Sequence, residues 1–179
     1  HPDFAHKLNS FLNKDIVIFG ISKVNAEAHA RFDAISRTYQ YHINLRKDPF
    51  SLETSWYFFG KPDVESMNEA SRILFEYTDF TSFSKLHTDV KTNNCKIYRA
   101  EWSQTDSKIV FTVKADRFLR NMVRALVGTI LEVGIGKLNL DEFRKVIELK
   151  DRGAACLSVP AHGLFLTDVE YPEHLFKRT

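Results

Sequence analysis

Between Lys114 and Gly136 the chain reads KADRFLRNMVRALVGTILEVGIG, a basic stripe carried on an otherwise apolar stretch. Phe118, Met122, Leu126, Ile130 and Val133 recur at three- or four-residue spacing, which predicts a helix from Phe118 onward, buried along one side. Leu119, Val123, Val127 and Leu131 widen that face until little polar surface remains. On this reading Arg117, Arg120 and Arg124 fall at i, i+3 and i+7 and share a face near the N-terminal half. Cations there oppose the helix dipole, which favours anions at that end. An arginine so deep in an apolar helix requires an anionic partner, because an unpaired buried charge is expensive. That partner is a carboxylate, a phosphate or both.

The 179 residues suffice for one good core, or for one domain plus part of another. A hydrophobic content of 44%, with 15 Phe, indicates a well-packed globular chain. No apolar run approaches the ~20 residues of a membrane helix. Cys95 and Cys156 are too few for a disulfide framework, so a reducing, cytoplasmic setting is expected. The net charge of +2 suits an RNA partner but is too mild to argue for one. Phe4, Leu8, Phe11 and Leu12 suggest an amphipathic helix already under way at the first residues. The run Ile16 to Ile21 then reads as a buried strand. The chain is accordingly expected to be a piece of a longer protein, cut ahead of that helix.

Asn25 to Ile35 reads as an irregular connection. Arg37 to Leu45 alternates as a strand, with Arg37, Tyr39, Tyr41, Ile43 and Leu45 on one side. Trp56 to Phe59 suggests a short extended segment. Asp63 can cap a helix running to about Tyr77. Asp79 to Asn94 has no clear period and is expected to be a long exposed loop carrying Lys85, His87 and Lys91. Ile97–Gln104 and Lys108–Ala115 form a hairpin pattern turning at Thr105-Asp106-Ser107. Asn139 with Glu142 makes a capping box for a helix through Lys150. Gly163 to Tyr171 closes with a strand. Together these predict an α+β fold with a mostly antiparallel sheet and helices packed on one face.

Three segments hold unusual combinations. Arg37, Tyr39 and Tyr41 put a guanidinium and two phenols on the face that Ile43 and Leu45 bury; packing alone accounts for Tyr41, and Tyr39 divides evenly. A charge row such as Arg117, Arg120 and Arg124 is commonly a solvated face, least so for Arg124 among its apolar neighbours. Pro160-Ala-His-Gly163-Leu-Phe-Leu166 is a turn entering a strand. The seven histidines show no metal-ligand spacing, so no metal site is expected. There is no Gly-rich phosphate loop and no nucleophile elbow.

Taken in order, these segments resemble the TruA-type tRNA pseudouridine synthases. His29-Ala-Arg31-Phe32-x-Ala34-x-Ser36-Arg37-x-Tyr39-x-Tyr41 is similar to one motif of that family, and Asp79-Phe-Thr-Ser-Phe83 to a second. Phe118-Leu119-x-x-Met122-Val123-Arg124-x-x-Val127-Gly128-Thr129 is similar to a third. Pro160-Ala-His-Gly163-Leu164 is similar to the segment entering its last strand. The four in register are highly specific.

The resemblance implies a half of the pseudouridine synthase catalytic fold and a reaction without metal or organic cofactor. A uracil is detached at N1 from its ribose, turned, and rejoined through C5. A catalytic aspartate attacks either the ribose or the pyrimidine ring. The target uridines lie in the anticodon stem-loop of tRNA, at positions 38, 39 and 40, where a base must leave its stack. By matching positions, Tyr39 packs against the flipped base and is a candidate for removing the C5 proton. Arg124 pairs with the catalytic aspartate through a charge-assisted bond. Leu164 forms an apolar wall beside the ring. Arg37, Lys85, Lys91, Arg117 and Arg120 are candidates for RNA phosphate contacts. The family also implies a homodimer.

One departure stands out. The family's nucleophile sits in an Arg-Thr-Asp segment, and no equivalent occurs here; His87-Thr88-Asp89 has the wrong place and neighbours. The expected division is therefore residues 1–30 as the tail of an upstream catalytic half and 31–179 as the C-terminal domain, inactive alone. A non-catalytic RNA-binding module on this scaffold fits the same absence. A purely structural domain would pair Arg124 internally, with Asp116 or Glu132, and Asp116 is also placed to pair with Arg120.

Overall fold

The computed structural model describes residues 4–85 and 91–176, so His87-Thr88-Asp89 lies outside the described residues. The elements are α1 (Phe4–Phe11), β1 (Ser36–Asn44), β2 (Trp56–Tyr57), α2 (Val64–Ile73), β3 (Ile97–Gln104), β4 (Lys108–Ala115), α3 (Met122–Gly134), α4 (Leu140–Glu148) and β5 (Leu164–Glu170). The fold is α+β: a mixed, mostly antiparallel five-stranded sheet with helices packed around it. The chain divides into two compact units, residues 35–170 and residues 1–34 with 171–179.

In the larger unit β1 is the central strand. Its alternation of bulky residues gives it two usable faces, and both of its edges are paired. One edge runs antiparallel to β4 from Arg37 to Asn44. The other is shared, with β5 antiparallel along Ser36–Tyr41 and β2 parallel at Ile43–Asn44. The hairpin partner β3 completes the order β2-β1-β4-β3. Register sets the core: Tyr41 lies opposite Phe111 on one side and Leu164 on the other. Tyr41, Ile43, Ile109, Phe111 and Val113 are fully buried. Against them packs α3, in which eleven of thirteen residues are buried, as its apolar composition requires.

Local signals fix the other helices. The Asp63 carboxylate caps α2 by accepting the N–H groups of Glu65 and Ser66. The Asn68 side chain bridges the backbone of Trp102, and Trp102 Nε1 donates to Ser71 Oγ, which ties α2 to β3. Asn139 and Glu142 form the capping box of α4.

Three expectations are corrected. First, α3 begins at Met122 and not at Phe118, because Asn121 occupies the left-handed region at φ 70°. Arg117 and Arg120 therefore lie in the turn before the helix, not on a helical face with Arg124. Second, Ile16–Ile21 is not a buried strand. Ile16, Val17, Phe19 and Ile21 are each more than half exposed, Phe19 at 97%. The Asn9 side chain satisfies the N–H and C=O of Ile18 in place of a neighbouring strand. Third, 79–94 is not simply an exposed loop. Phe80, Ser82 and Phe83 are buried, Thr81–Phe83 forms a 3-10 turn, and Ser82 Oγ donates to the carbonyl of Val146 in α4.

In the smaller unit α1 carries no buried residue. Val24 bridges to Phe176, and the Tyr171 hydroxyl donates to the carbonyl of Ala30.

Candidate active site

The first turn of α3, the middle of β1 and the segment entering β5 meet around Arg124. The apolar run that builds α3 leaves Arg124 half-buried on its first turn. Its Nε donates to the Val159 carbonyl at 2.6 Å, and the Val159 N–H donates back to the Arg124 carbonyl at 3.3 Å. The reciprocal pair fixes the guanidinium to the irregular segment 155–160. Burying an arginine head this way requires hydrogen bonds to replace water.

The same segment is gripped from β1. Tyr41, completely buried, donates its hydroxyl to the Pro160 carbonyl at 2.6 Å. Burial pushes the Tyr41 phenol well above the usual tyrosine range, while the nearby Arg124 guanidinium pulls the other way. Burial wins, so the hydroxyl stays protonated and able to donate. Two adjacent carbonyls, Val159 and Pro160, are thus held by two different elements.

Close approach makes two glycines necessary. A Cβ at Gly128, one turn beyond Arg124, would lie 2.2 Å from the Leu157 carbonyl oxygen. One at Gly163 would meet the His42 carbonyl oxygen at 2.8 Å and the Tyr41 ring at 3.0 Å. Further bonds hold the segment in place: Asn121 Nδ2 to Ser158 Oγ, Cys156 N–H to Thr129 Oγ1, and Arg152 to the carbonyls of Ala155 and Cys156.

Tyr39 sits two residues before Tyr41, half-buried, and meets Phe118 edge to face with centroids 5.1 Å apart. Leu164, cross-strand from Tyr41, is half-buried against the core. The structure thus brings Arg124 and Leu164 around Tyr41, with Tyr39 next along the same face of β1.

Four of the expected RNA-contacting cations, Arg37, Lys85, Arg117 and Arg120, come together at the turn before α3. Arg37 Nη1 donates to the Asp116 carbonyl at 2.7 Å, beside Arg117. The Lys85 N–H donates to the Arg120 carbonyl at 3.0 Å, which sets an exposed lysine next to an exposed arginine. Lys91 is exposed.

Internal pairing of Arg124 is not found among the described residues. Glu132 engages Lys137 at 3.2 Å. Asp116 Oδ1 instead accepts the backbone N–H groups of Lys96 and Arg117, each at 2.7 Å. An ion pair of Asp116 with Arg120 is likewise not seen among them.

Val159 is the contributor that the sequence did not point to, while Pro160 and Gly128 stand in the quoted motifs without an assigned part. The adjacency of Pro160 to Gly163-Leu164 was the available signal, but nothing local ties position 159 to position 124.

Comparison with known proteins decides what this arrangement belongs to. Residues 77–172 match the family model described as tRNA pseudouridine synthase. The tRNA pseudouridine synthase A of Parabacteroides distasonis is 62% identical over 172 residues, covering 96% of this chain and 68% of the relative. That of Bacteroides thetaiotaomicron is 57% identical over 175 residues, covering 96% and 65%. That of Bacillus subtilis is 36% identical over 170 residues, covering 94% and 69%. The chain belongs to the tRNA pseudouridine synthase family.

The family match takes in α3 and the strand entry at Leu164, hence Arg124 and its anchor. The chain spans about two thirds of the length of these curated relatives. Among the described residues no helix is long and apolar enough to cross a membrane.

Proposed function

We propose that this chain forms the C-terminal part of a synthase that isomerises uridine to pseudouridine in the anticodon stem-loop of tRNA, at positions 38, 39 and 40. Residues 1–30 end the preceding catalytic half, and residues 31–179 form the second. The nucleophilic aspartate comes from a segment outside these 179 residues, and Arg124 is its counter-ion.

The observation that supports this reading is the state of Arg124. Its guanidinium is half-buried, anchored at Nε by the Val159 carbonyl, and without a carboxylate partner among the described residues. A guanidinium presents five donors, so one anchored N–H leaves the terminal fork to grip a carboxylate in two-point fashion. Such pairing keeps the carboxylate ionised and aimed.

In the reaction the N1–C1′ bond of the uridine breaks, the base turns, and a C5–C1′ bond forms. The C5 hydrogen leaves as a proton and N1 ends protonated, so atoms and charge balance. Tyr39 packs against the extruded base and stands as the acceptor of the C5 proton, directly or through water. Leu164 supplies an apolar wall on the ring's other side. Arg37, Arg117, Arg120, Lys85 and Lys91 contact backbone phosphates, which position the RNA without reading its sequence. The working enzyme is a cytoplasmic homodimer.

The experiment is tritium release from tRNA carrying [5-3H]uridine, with the full-length protein and its Arg124→Ala variant. Release at anticodon-arm uridines, lost in the variant, supports the reading. Release from neither, or equal release from both, contradicts it.

A further inference from the structure

The segment that anchors Arg124 has little packing of its own. Cys156 to Pro160 forms no helix or strand, and Leu157, 89% exposed, turns its side chain to solvent. Polar ties supply what burial does not, and several converge on Arg152. Its Nη1 donates to the carbonyls of Ala155 and Cys156 at 3.2 and 3.3 Å, and its Nη2 to Ser158 Oγ at 3.1 Å. One fork thus closes the turn that it begins, reaching residues three, four and six places ahead. Such a set suits a guanidinium, whose donors diverge in a fixed plane. The neighbouring Asp151 carboxylate accepts the Gly153 N–H. Among the described residues no carboxylate lies within ion-pair distance of Arg152.

Ser158 carries the tie across to α3. Asn121, the residue before that helix, donates its side-chain amide to the same Oγ. An asparagine at this position commonly accepts an N–H of the first helical turn. Asn121 makes no such bond and adopts the left-handed conformation at φ 70°, so the cap is forgone and the amide serves Ser158 instead. Arg152, Ser158 and Asn121 therefore brace the connection between α4 and β5 against the start of α3. The brace ends one residue from the Val159 carbonyl that receives Arg124 Nε.

We propose that Arg152 is a positioning residue for uridine isomerisation. Its fork holds Ser158, and so sets the Val159 carbonyl that aims the Arg124 guanidinium. Arg152 acts through that anchor and not by contact with the substrate. The inference rests on the reading of Arg124 as counter-ion of the nucleophilic aspartate.

The test uses the full-length protein and three variants. Arg152→Met removes the donors, Arg152→Lys keeps the charge, and Ser158→Ala breaks the brace while sparing the bonds to Ala155 and Cys156. In single-turnover tritium release Arg152→Met should lower the rate constant by about tenfold, within the range that slight misplacement of a reacting group produces. The tRNA concentration giving half the maximal rate should stay unchanged, and Arg152→Lys should recover part of the loss. Ser158→Ala should lower the rate in the same sense, and the loss in the double variant should be less than the product of the two single losses. By NMR the Arg124 Nε–H, identified by its disappearance in Arg124→Lys, should exchange with solvent about fivefold faster or more in Arg152→Met and in Ser158→Ala. A raised half-saturating tRNA concentration with the rate constant unchanged makes Arg152 a phosphate contact and overturns the proposal. Slower turnover with unchanged Arg124 Nε–H exchange overturns it too, because the anchor is then not the route. Should Arg152→Met fail to fold, full turnover and unchanged exchange in Ser158→Ala have the same force. Absence of tritium release from the unaltered protein would instead strike the functional reading, while the exchange comparison still tests the brace.

Discussion

Arg124 and Val159 exchange two hydrogen bonds, Nε to carbonyl at 2.6 Å and N–H to carbonyl at 3.3 Å, across 35 residues of sequence. The pair ties the first turn of α3 to the segment leading into β5. A guanidinium anchored at Nε and, among the described residues, without a carboxylate at its terminal fork is suited to orient a carboxylate brought from elsewhere.

Replacing Arg124 in the full-length protein separates charge from geometry. Arg124→Ala should lower turnover by about a hundredfold or more, the scale of ~3 kcal/mol for breaking a buried charge pair. Arg124→Lys keeps the charge but loses the planar fork and should fall between the two. Single-turnover tritium release measures both; a lysine variant as active as the parent would exclude the fork.

Tyr41→Phe leaves the Pro160 carbonyl buried without its donor. The expected cost is about 1–3 kcal/mol in urea unfolding, with an accompanying loss of turnover as Leu164 loosens.

The same residue sets an alkaline limit. Its phenol titrates above the usual value in the folded state because burial disfavours the phenolate. The folded protein therefore holds a proton that the unfolded chain gives up near pH ~10. That stability is complete below pH ~10 and declines as pH rises past it. Unfolding free energy followed from pH 8 upward should fall less steeply in Tyr41→Phe.

Gly128→Ala drives a Cβ into the Leu157 carbonyl, 2.2 Å away. Because the obstacle is backbone, the segment 157–159 must shift and take the Arg124 anchor with it. A loss of about 1–3 kcal/mol in stability is expected from overpacking, with lower turnover. Wild-type stability in this variant would show that the helix and segment are not in contact.

Alanine at Lys85, Lys91, Arg117 or Arg120 should weaken tRNA binding alike for every sequence. Each contact removed should reduce the log–log salt slope by about one. Fluorescence anisotropy at several salt concentrations reads this directly; an unchanged slope removes that residue from the interface.

Much of the frame was legible locally. The strand β1, the Thr105-Asp106-Ser107 hairpin and the Asn139–Glu142 capping box depend on neighbouring residues, and each formed where its pattern placed it, although burial along β1 does not alternate, since Asn44 is buried beside Ile43. The start of α3 did not, because the i, i+4 spacing of Phe118 and Met122 survives a single left-handed residue at Asn121. The run Ile16–Ile21 shows the converse: five apolar side chains around Gly20 specify a buried strand only when a partner surface covers them. Tyr39, Arg124 and Leu164 were expected from motif positions, and the structure places Leu164 opposite Tyr41, Tyr39 two residues before it on β1, and Arg124 on the Val159 carbonyl. The anchors at Val159 and Pro160 are backbone carbonyls, which carry no signature in side-chain chemistry.

The central claim, that Arg124 serves a carboxylate outside these residues, meets its most direct test in tritium release by the purified 179-residue chain. The account predicts no release from [5-3H]uridine tRNA at any enzyme concentration, with activity in the full-length protein under the same conditions. Turnover by the 179-residue chain alone would contradict it.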